Sequence, residues 1–341
     1  MKRLLLLLLP VLLLSCAKEE QVHNVDIHLN DWSAEVDFSD LFKVTRRIQL
    51  DNNPDCYIHE NSIIKFAGDR IYIHDRESDA KNILVFDSDG KFVNHIGSCG
   101  QGPGEYIDFR AFAINEEKGE IVILSQPFTF FVYDTDGKFL YKKDVDAYVY
   151  NFERFTDCYI ATSNPEIVLR EDNTSLFYKL DDDFNVIDAK FRPAQNQSCA
   201  ATSIPTLYKR GENALYLNQF PSVVYQYDCK ADTAGLLYKF IYPNQMPPDV
   251  YSDVNAFYFG IQKYNVIKSF AVNSTTMLVT YLTPKACTVE LDDNGNVLHK
   301  INFNDETSPG SIFVANDTFM ALEDAGGDDN LAIVIYEKIK H

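Results

Sequence analysis

From about residue 41 onward, short apolar runs alternate with polar positions and end in turn signals, the period of strands rather than of helices. One unit recurs. Ile83 to Phe86 leads into Asp87-Ser88-Asp89-Gly90 and then Lys91-Phe92-Val93. Phe130 to Leu140 repeats it around Asp134-Thr135-Asp136-Gly137, with the two glycines 47 residues apart. A third copy, Phe177 to Ile187, lies another 47 residues on, with Phe184 in the glycine place. A degenerate fourth spans Val223 to Tyr242 and turns near Asp232; a fifth, Thr288 to Leu298, turns at Asn294-Gly295. Apolar alternation around Asp-Gly or Asn-Gly marks a hairpin, because Gly adopts positive φ cheaply.

Two more strand-like runs precede each hairpin, such as Ser62 to Gly68 and Arg70 to Asp75, or Phe109 to Asn115 and Glu120 to Gln126. Four strands in 40 to 50 residues make one propeller blade. A sixth unit runs through Ser311 to Asp317, Phe319 to Asp324 and Leu331 to Lys338, and the sequence stops at His341 before an outer strand. Lys43 to Leu50, which has no inner strands before it, supplies the missing one. The pattern predicts an all-β, six-bladed propeller over residues 41–341, closed by an N-terminal strand that completes the last blade and leaves no unpaired edge there.

Residues 1–15 read as an address. Met1-Lys2-Arg3 precedes Leu4 to Leu14, an apolar run interrupted only by Pro10. It is shorter than the about 20 residues a spanning helix needs, so it reads as an export signal. The run ends in Leu13-Leu14-Ser15-Cys16, which resembles the bacterial lipobox and implies a lipid on Cys16. Ala17-Lys18-Glu19-Glu20 resembles the signal that sends Bacteroidetes lipoproteins to the outer face of the outer membrane. Residues 16–40 are polar and poorly periodic and read as a flexible tether.

After the first hairpin comes Ile96-Gly97-Ser98-Cys99-Gly100-Gln101-Gly102-Pro103-Gly104-Glu105-Tyr106. The order Asp-x-Asp-Gly-Lys-Phe, Ile-Gly and Gly-Gln-Gly-Pro-Gly-Glu-Tyr resembles the six-bladed β-propeller lipoproteins of Bacteroidetes, an NHL-like group. That resemblance implies a fold and a location rather than an activity. The glycine segment is not a nucleotide loop: its glycines alternate, no Lys-Ser/Thr follows, and Pro103 blocks a helix start. A blade connector is the expected role, with Glu105 satisfying backbone amides in the turn or facing the ring axis.

Charge narrows the partners. The sequence carries a formal charge of −19, which repels phosphate backbones and argues against nucleic acid. Beyond Cys16 there are six cysteines, Cys56, Cys99, Cys158, Cys199, Cys229 and Cys287, without CxxC spacing, so zinc is disfavoured and buried free thiols are expected. Cys56 and Cys99 form the disulfide candidate, because they sit in connectors serving adjacent blades. The Asp-x-Asp-Gly turns fail as calcium loops: the twelfth position is Ser98 in one and Val145 in the other.

In a propeller the loops between second and third strands and the blade connectors gather on one face, where function sits. Ligand-binding candidates there are Arg76, Glu105, Tyr106, Arg110, Gln126, Asn218, Tyr251, Phe257 and Tyr258, the last three from the unrepetitive, aromatic stretch 243–264. The leading expectation is a non-catalytic binding module for a glycan, peptide or protein partner, needing no cofactor. The alternative is a metal-dependent hydrolase or lyase, resembling the lactonase-type propellers. That resemblance implies a Glu/Asn/Asp site at the tunnel, for which Glu105, Asn164, Asn218 and Asp324 have the right chemistry. A calcium ion near Glu323-Asp324 is the one cofactor suggested.

Overall fold

The computed structural model describes residues 22–27, 35–126, 128–163, 174–192, 207–251, 253–282, 286–303, 312–324, 326 and 329–339. Three short strands come first: β1 (His23–Asp26), β2 (Glu35–Asp37) and, after the helical turn α1 (Phe38–Leu41), β3 (Phe42–Gln49). Blade 1 follows as β4 (Ile63–Ala67), β5 (Arg70–His74), β6 (Ile83–Asp87) and β7 (Phe92–Ile96). Blade 2 is β8 (Ala111–Asn115), β9 (Glu120–Ser125), β10 (Thr129–Asp134) and β11 (Phe139–Asp144). Blade 3 is β12 (Asn151–Arg154), β13 (Tyr159–Thr162), β14 (Phe177–Leu180) and β15 (Val186–Lys190). Blade 4 is β16 (Leu207–Arg210), β17 (Asn213–Asn218), β18 (Val223–Asp228) and β19 (Thr233–Ile241). After an insert carrying α2 (Pro248–Tyr251) and α3 (Val254–Gly260), blade 5 is β20 (Val266–Val272), β21 (Met277–Leu282), β22 (Cys287–Leu291) and β23 (Val297–Asn302). Blade 6 is β24 (Ile312–Ala315), β25 (Thr318–Glu323) and β26 (Ala332–Lys338), and β3 completes it.

The expected closure is borne out. Strand β3 pairs antiparallel with β26, from Gln49 opposite Ala332 to Phe42 opposite Lys338. The six blades and their four-stranded plan agree with the repeat arithmetic.

The tether does not extend to residue 40. Strand β1 adds in parallel to β19 on the rim of blade 4, and β2 adds in parallel to β23 on the rim of blade 5. Val25 and Ile27 are buried against blades 4 and 5, and Phe38 and Leu41 against blades 5 and 6. The N-terminal segment is therefore a strap over successive rims that covers two edge strands before closing the ring.

Each of six apolar clusters fills one blade interface, and period two explains how. In blade 1, Ile71, Ile73, Leu84 and Phe86 face blade 6, while Tyr72, Ile83 and Val85 face blade 2. A middle strand buried on both faces has no polar face, so it reads as an unbroken apolar run. β9 and β10 are buried along nearly their whole length, whereas the outer β11 is mostly exposed.

The hairpin turns share one chemistry. Asp87 Oδ1 accepts from the backbone N–H of Asp89 and Lys91, and Asp134 does the same for Asp136 and Lys138. Asp181 and Asp292 repeat it at their own turns. The first aspartate of each motif is a turn ligand for its own backbone. The glycine place has φ +86° at Gly90 and +89° at Gly137, and Phe184 holds the same left-handed region at +61°. A register shift recurs in the third-to-outer strand pair of every blade, as at Val85/Phe86 and Val132/Tyr133.

Candidate functional site

The 2–3 loops and blade connectors share one end of the ring, and a hollow of about 220 Å³ opens there between blades 2 and 3. Arg110, just before β8, Ser125, Gln126 and Phe128 of the β9–β10 loop, and Tyr148, Val149 and Tyr150 of the β11–β12 connector line it. The loops are locked from below. Phe128 accepts from Val145 N–H and donates to the Ser125 carbonyl, and Tyr150 N–H donates to the Thr162 carbonyl. Phe128 has φ +90°, a strained conformation for a bulky residue that puts its ring edge-to-face with Tyr148 at 5.2 Å. Val149 is buried while Tyr148 and Tyr150 stay 40% and 41% exposed, so alternation turns both tyrosines outward.

A cationic edge borders the rings. Asp108 holds Arg110 through Nε at 2.9 Å and Lys81 at 3.5 Å. Arg76, on the β5–β6 loop, is surface-accessible, yet the surrounding protein lowers its pKa by desolvation while Tyr208 and Tyr150 oppose the shift. Nearer the axis, Lys65 of β4 makes an ion pair with Glu153 of β12, two blades away, and lies over the Phe112 ring at 5.3 Å. A net-acidic protein therefore presents arginines and aromatic rings at this mouth. A second hollow, about 320 Å³, lies at the opposite end between blades 5 and 6. Its turns are engaged with each other, since Asp317 accepts from Ser274 N–H and Oγ.

The expected residues separate into two groups. Arg110 and Gln126 line the hollow, Arg76 is exposed on the β5–β6 loop outside its lining, and Tyr258 is 67% exposed on the insert beside Phe259 at 81%. Tyr106 is instead a core residue between blades 1 and 2, its hydroxyl donating to the Lys81 carbonyl. Tyr251 and Phe257 are buried with Phe220, Met246 and Val266, forming the insert's own core. Asn218 is buried and donates to the Phe220 carbonyl. Glu105 folds back onto Gly102 N–H at 2.7 Å, and a Cβ at Gly100 or Gly102 would meet its carboxylate. The glycines make room for that carboxylate, which satisfies the connector's own backbone. Asp324 is exposed and accepts from Gly326 N–H. Cys16 and Asn164 lie outside the described residues. Among the described residues no three His, Cys, Asp or Glu side chains gather as a metal site.

The Cys56–Cys99 disulfide is not formed; both are free thiols. Cys56 is buried between blades 6 and 1, its Sγ donating to the Asn53 carbonyl at 3.2 Å, and burial raises its pKa. Cys99 is exposed on the blade 1–2 connector, bridged to Tyr106. Successive connectors serve different blade interfaces, which separates the two.

Two features of this end were not expected from sequence. Phe128, Tyr148 and Tyr150 form the aromatic part of the hollow, and their signal was the alternation Tyr148-Val149-Tyr150 in a short connector. His74 is the other. It stacks on Phe109 at 3.6 Å under the mouth, and burial lowers its pKa to about 4, keeping the imidazole neutral.

Among solved structures, one from Bacteroides fragilis, of a protein assigned as exported, matches with TM-score 0.71 at 18% identity, covering 94% of this chain and all of that one. A member of the DUF4221 family from Bacteroides vulgatus matches with TM-score 0.60 at 9% identity, covering 89% of this chain and all of that one. At these identities the likeness is one of fold. No curated protein matches the chain. A family model described as a domain of unknown function, DUF4934, matches residues 21–257, most of the ring, and the chain belongs to that family.

Proposed function

We propose that this propeller is a non-catalytic binding module, held outside the outer membrane by a lipid on Cys16, and that its ligand is a glycan seated at the blade 2–3 mouth. The observation that carries the reading is the hollow itself. Two exposed tyrosines and Phe128 stand beside Arg110, Gln126 and Ser125. Aromatic faces stack on the C–H faces of sugar rings, while guanidinium, amide and hydroxyl groups bond sugar hydroxyls. At about 220 Å³ the hollow is smaller than the about 300–1,000 Å³ of a drug-sized pocket, so it takes one ring-sized group at a time. A terminal sugar of an oligosaccharide meets that limit, with further sugars running over the mouth toward Arg76.

The anchor fits the strap. Since β1 begins at His23, a lipid on Cys16 stands within about 25 Å of the blade 4 rim, at about 3.5 Å per extended residue. The ring then rides close to the membrane.

Applying the purified protein to a glycan array of neutral and acidic oligosaccharides tests the ligand class. Saturable binding to a related set of glycans is expected. No glycan binding, together with binding to a random peptide library, would replace the glycan with a peptide.

A further inference from the structure

We infer that Cys158 and Cys229 form a disulfide that staples blade 3 to blade 4 when the protein meets an oxidising environment. The inference does not depend on the ligand. Cys158 closes the β12–β13 turn, its carbonyl accepting from Phe155 N–H at 2.8 Å. Cys229 follows β18, its N–H donating to the Glu212 carbonyl at 3.1 Å. A clasp joins these segments across the interface: Glu212 accepts from Thr156 Oγ1 at 2.8 Å and from Thr156 N–H at 3.4 Å. Both cysteines are thus fixed by backbone contacts on either side of one interblade clasp. Their side chains meet in the blade 3–4 core among Phe155, Ile160, Tyr225 and Tyr227.

Both cysteines are free thiols in the structure and pack in the same apolar cluster, close enough for each to perturb the other's ionisation. Cys229 lowers the Cys158 pKa, with Lys179 and Arg154 adding to the effect, and Cys158 in turn raises that of Cys229. A disulfide requires the two backbones that carry it to lie close, and the Thr156–Glu212 clasp holds together the segments beside each cysteine. Among the other described cysteines, Cys56 is engaged with backbone carbonyls between blades 6 and 1, Cys99 is exposed on the blade 1–2 connector and Cys287 packs against the blade 4–5 cluster.

The oxidant is a small-molecule or protein disulfide. The Cys158 sulfur, whose pKa is lowered, attacks as thiolate, forms a mixed disulfide and releases one thiolate. The Cys229 sulfur then loses its proton, attacks the Cys158 sulfur of that mixed disulfide and releases the second. The two protons lost by the cysteines go to the two leaving thiolates. Two thiols are oxidised, and one oxidant disulfide is reduced to two thiols.

The test is oxidative refolding of the full mature chain from urea in a glutathione redox buffer, followed by alkylation, proteolysis and mass mapping. A peptide joining Cys158 to Cys229, lighter by two hydrogens than its reduced parts, is expected. With it should come a Tm about 5 °C above that of the reduced protein, reversed by dithiothreitol and absent from Cys158→Ser. Recovery of both Cys158 and Cys229 as alkylated thiols, or of either in another pairing, would overturn the inference.

Discussion

Asn330 Nδ2 donates to the Cys56 carbonyl at 2.9 Å although 274 residues separate them. The same amide donates to the Asp51 carbonyl, and its Oδ1 accepts from the Ile58 and Leu331 N–H groups. One buried side chain thus satisfies backbone groups on both sides of the ring closure, where β26 receives β3. Asn330→Ala leaves these groups unpaired and should cost about 3 kcal/mol in urea unfolding. A change under about 0.5 kcal/mol, the level of an ordinary surface substitution, would show that the closure does not depend on this residue.

Phe184 presents two opposed terms. Its φ of +61° is costly for a residue with a Cβ, yet its ring is buried and stacks on Phe130 at 4.5 Å. Packing outweighs strain here. Phe184→Ala should lose about 3–5 kcal/mol, and Phe184→Gly about 1 kcal/mol less, because Gly removes the left-handed penalty. Thermal denaturation of both variants checks the order; Gly proving the worse of the two would contradict it.

The strap makes a prediction that a free tether does not. Ile27 is fully buried and its N–H donates to the Ile241 carbonyl. Ile27→Ala should lower stability by about 2–5 kcal/mol. An unchanged urea midpoint would mean the segment is detached in solution.

Acid should weaken the fold through His74. Its folded pKa is about 4 against 6.5 unfolded, so the unfolded chain binds the extra proton between those values. Stability from this group is full above pH 6.5, falls as the pH drops, and levels off below about 4. The loss approaches about 3 kcal/mol at about 1.4 kcal/mol per pH unit. His59 acts oppositely: Asp75 raises its pKa, so its contribution is present below 6.5 and fades as the pH rises. His74→Phe keeps a ring against Phe109 and removes the titration. Its Tm should fall less than the wild type's between pH 7 and 4.5; an equal fall would exclude His74 as the cause.

The blades were legible because propeller packing forces a regular pattern. Middle strands must be apolar on both faces, and turns need Asp-x-Asp-Gly or a near relative. The strap was not, because His23-Asn24-Val25-Asp26 and Glu35-Val36-Asp37 pair through backbone groups and bury few side chains, so their sequences read as coil. The site was legible in part. Arg76, Arg110 and Gln126 could be placed on loops of the right end. Which aromatics stay exposed was decided by packing: Phe220 draws in Tyr251 and Phe257 and leaves Tyr258 and Phe259 outside.

The binding mouth is tested most directly by isothermal titration of the glycans retained on the array into the wild type, Tyr148→Ala and Tyr258→Ala. Tyr148 stands in the blade 2–3 hollow, whereas Tyr258 is exposed on the insert. Removing one stacking ring costs about 1.4 kcal/mol or more, a tenfold rise in Kd. Tyr148→Ala should show that rise, and Tyr258→Ala should bind like the wild type. Full affinity in Tyr148→Ala with a loss in Tyr258→Ala would contradict the blade 2–3 mouth and move the site to the insert.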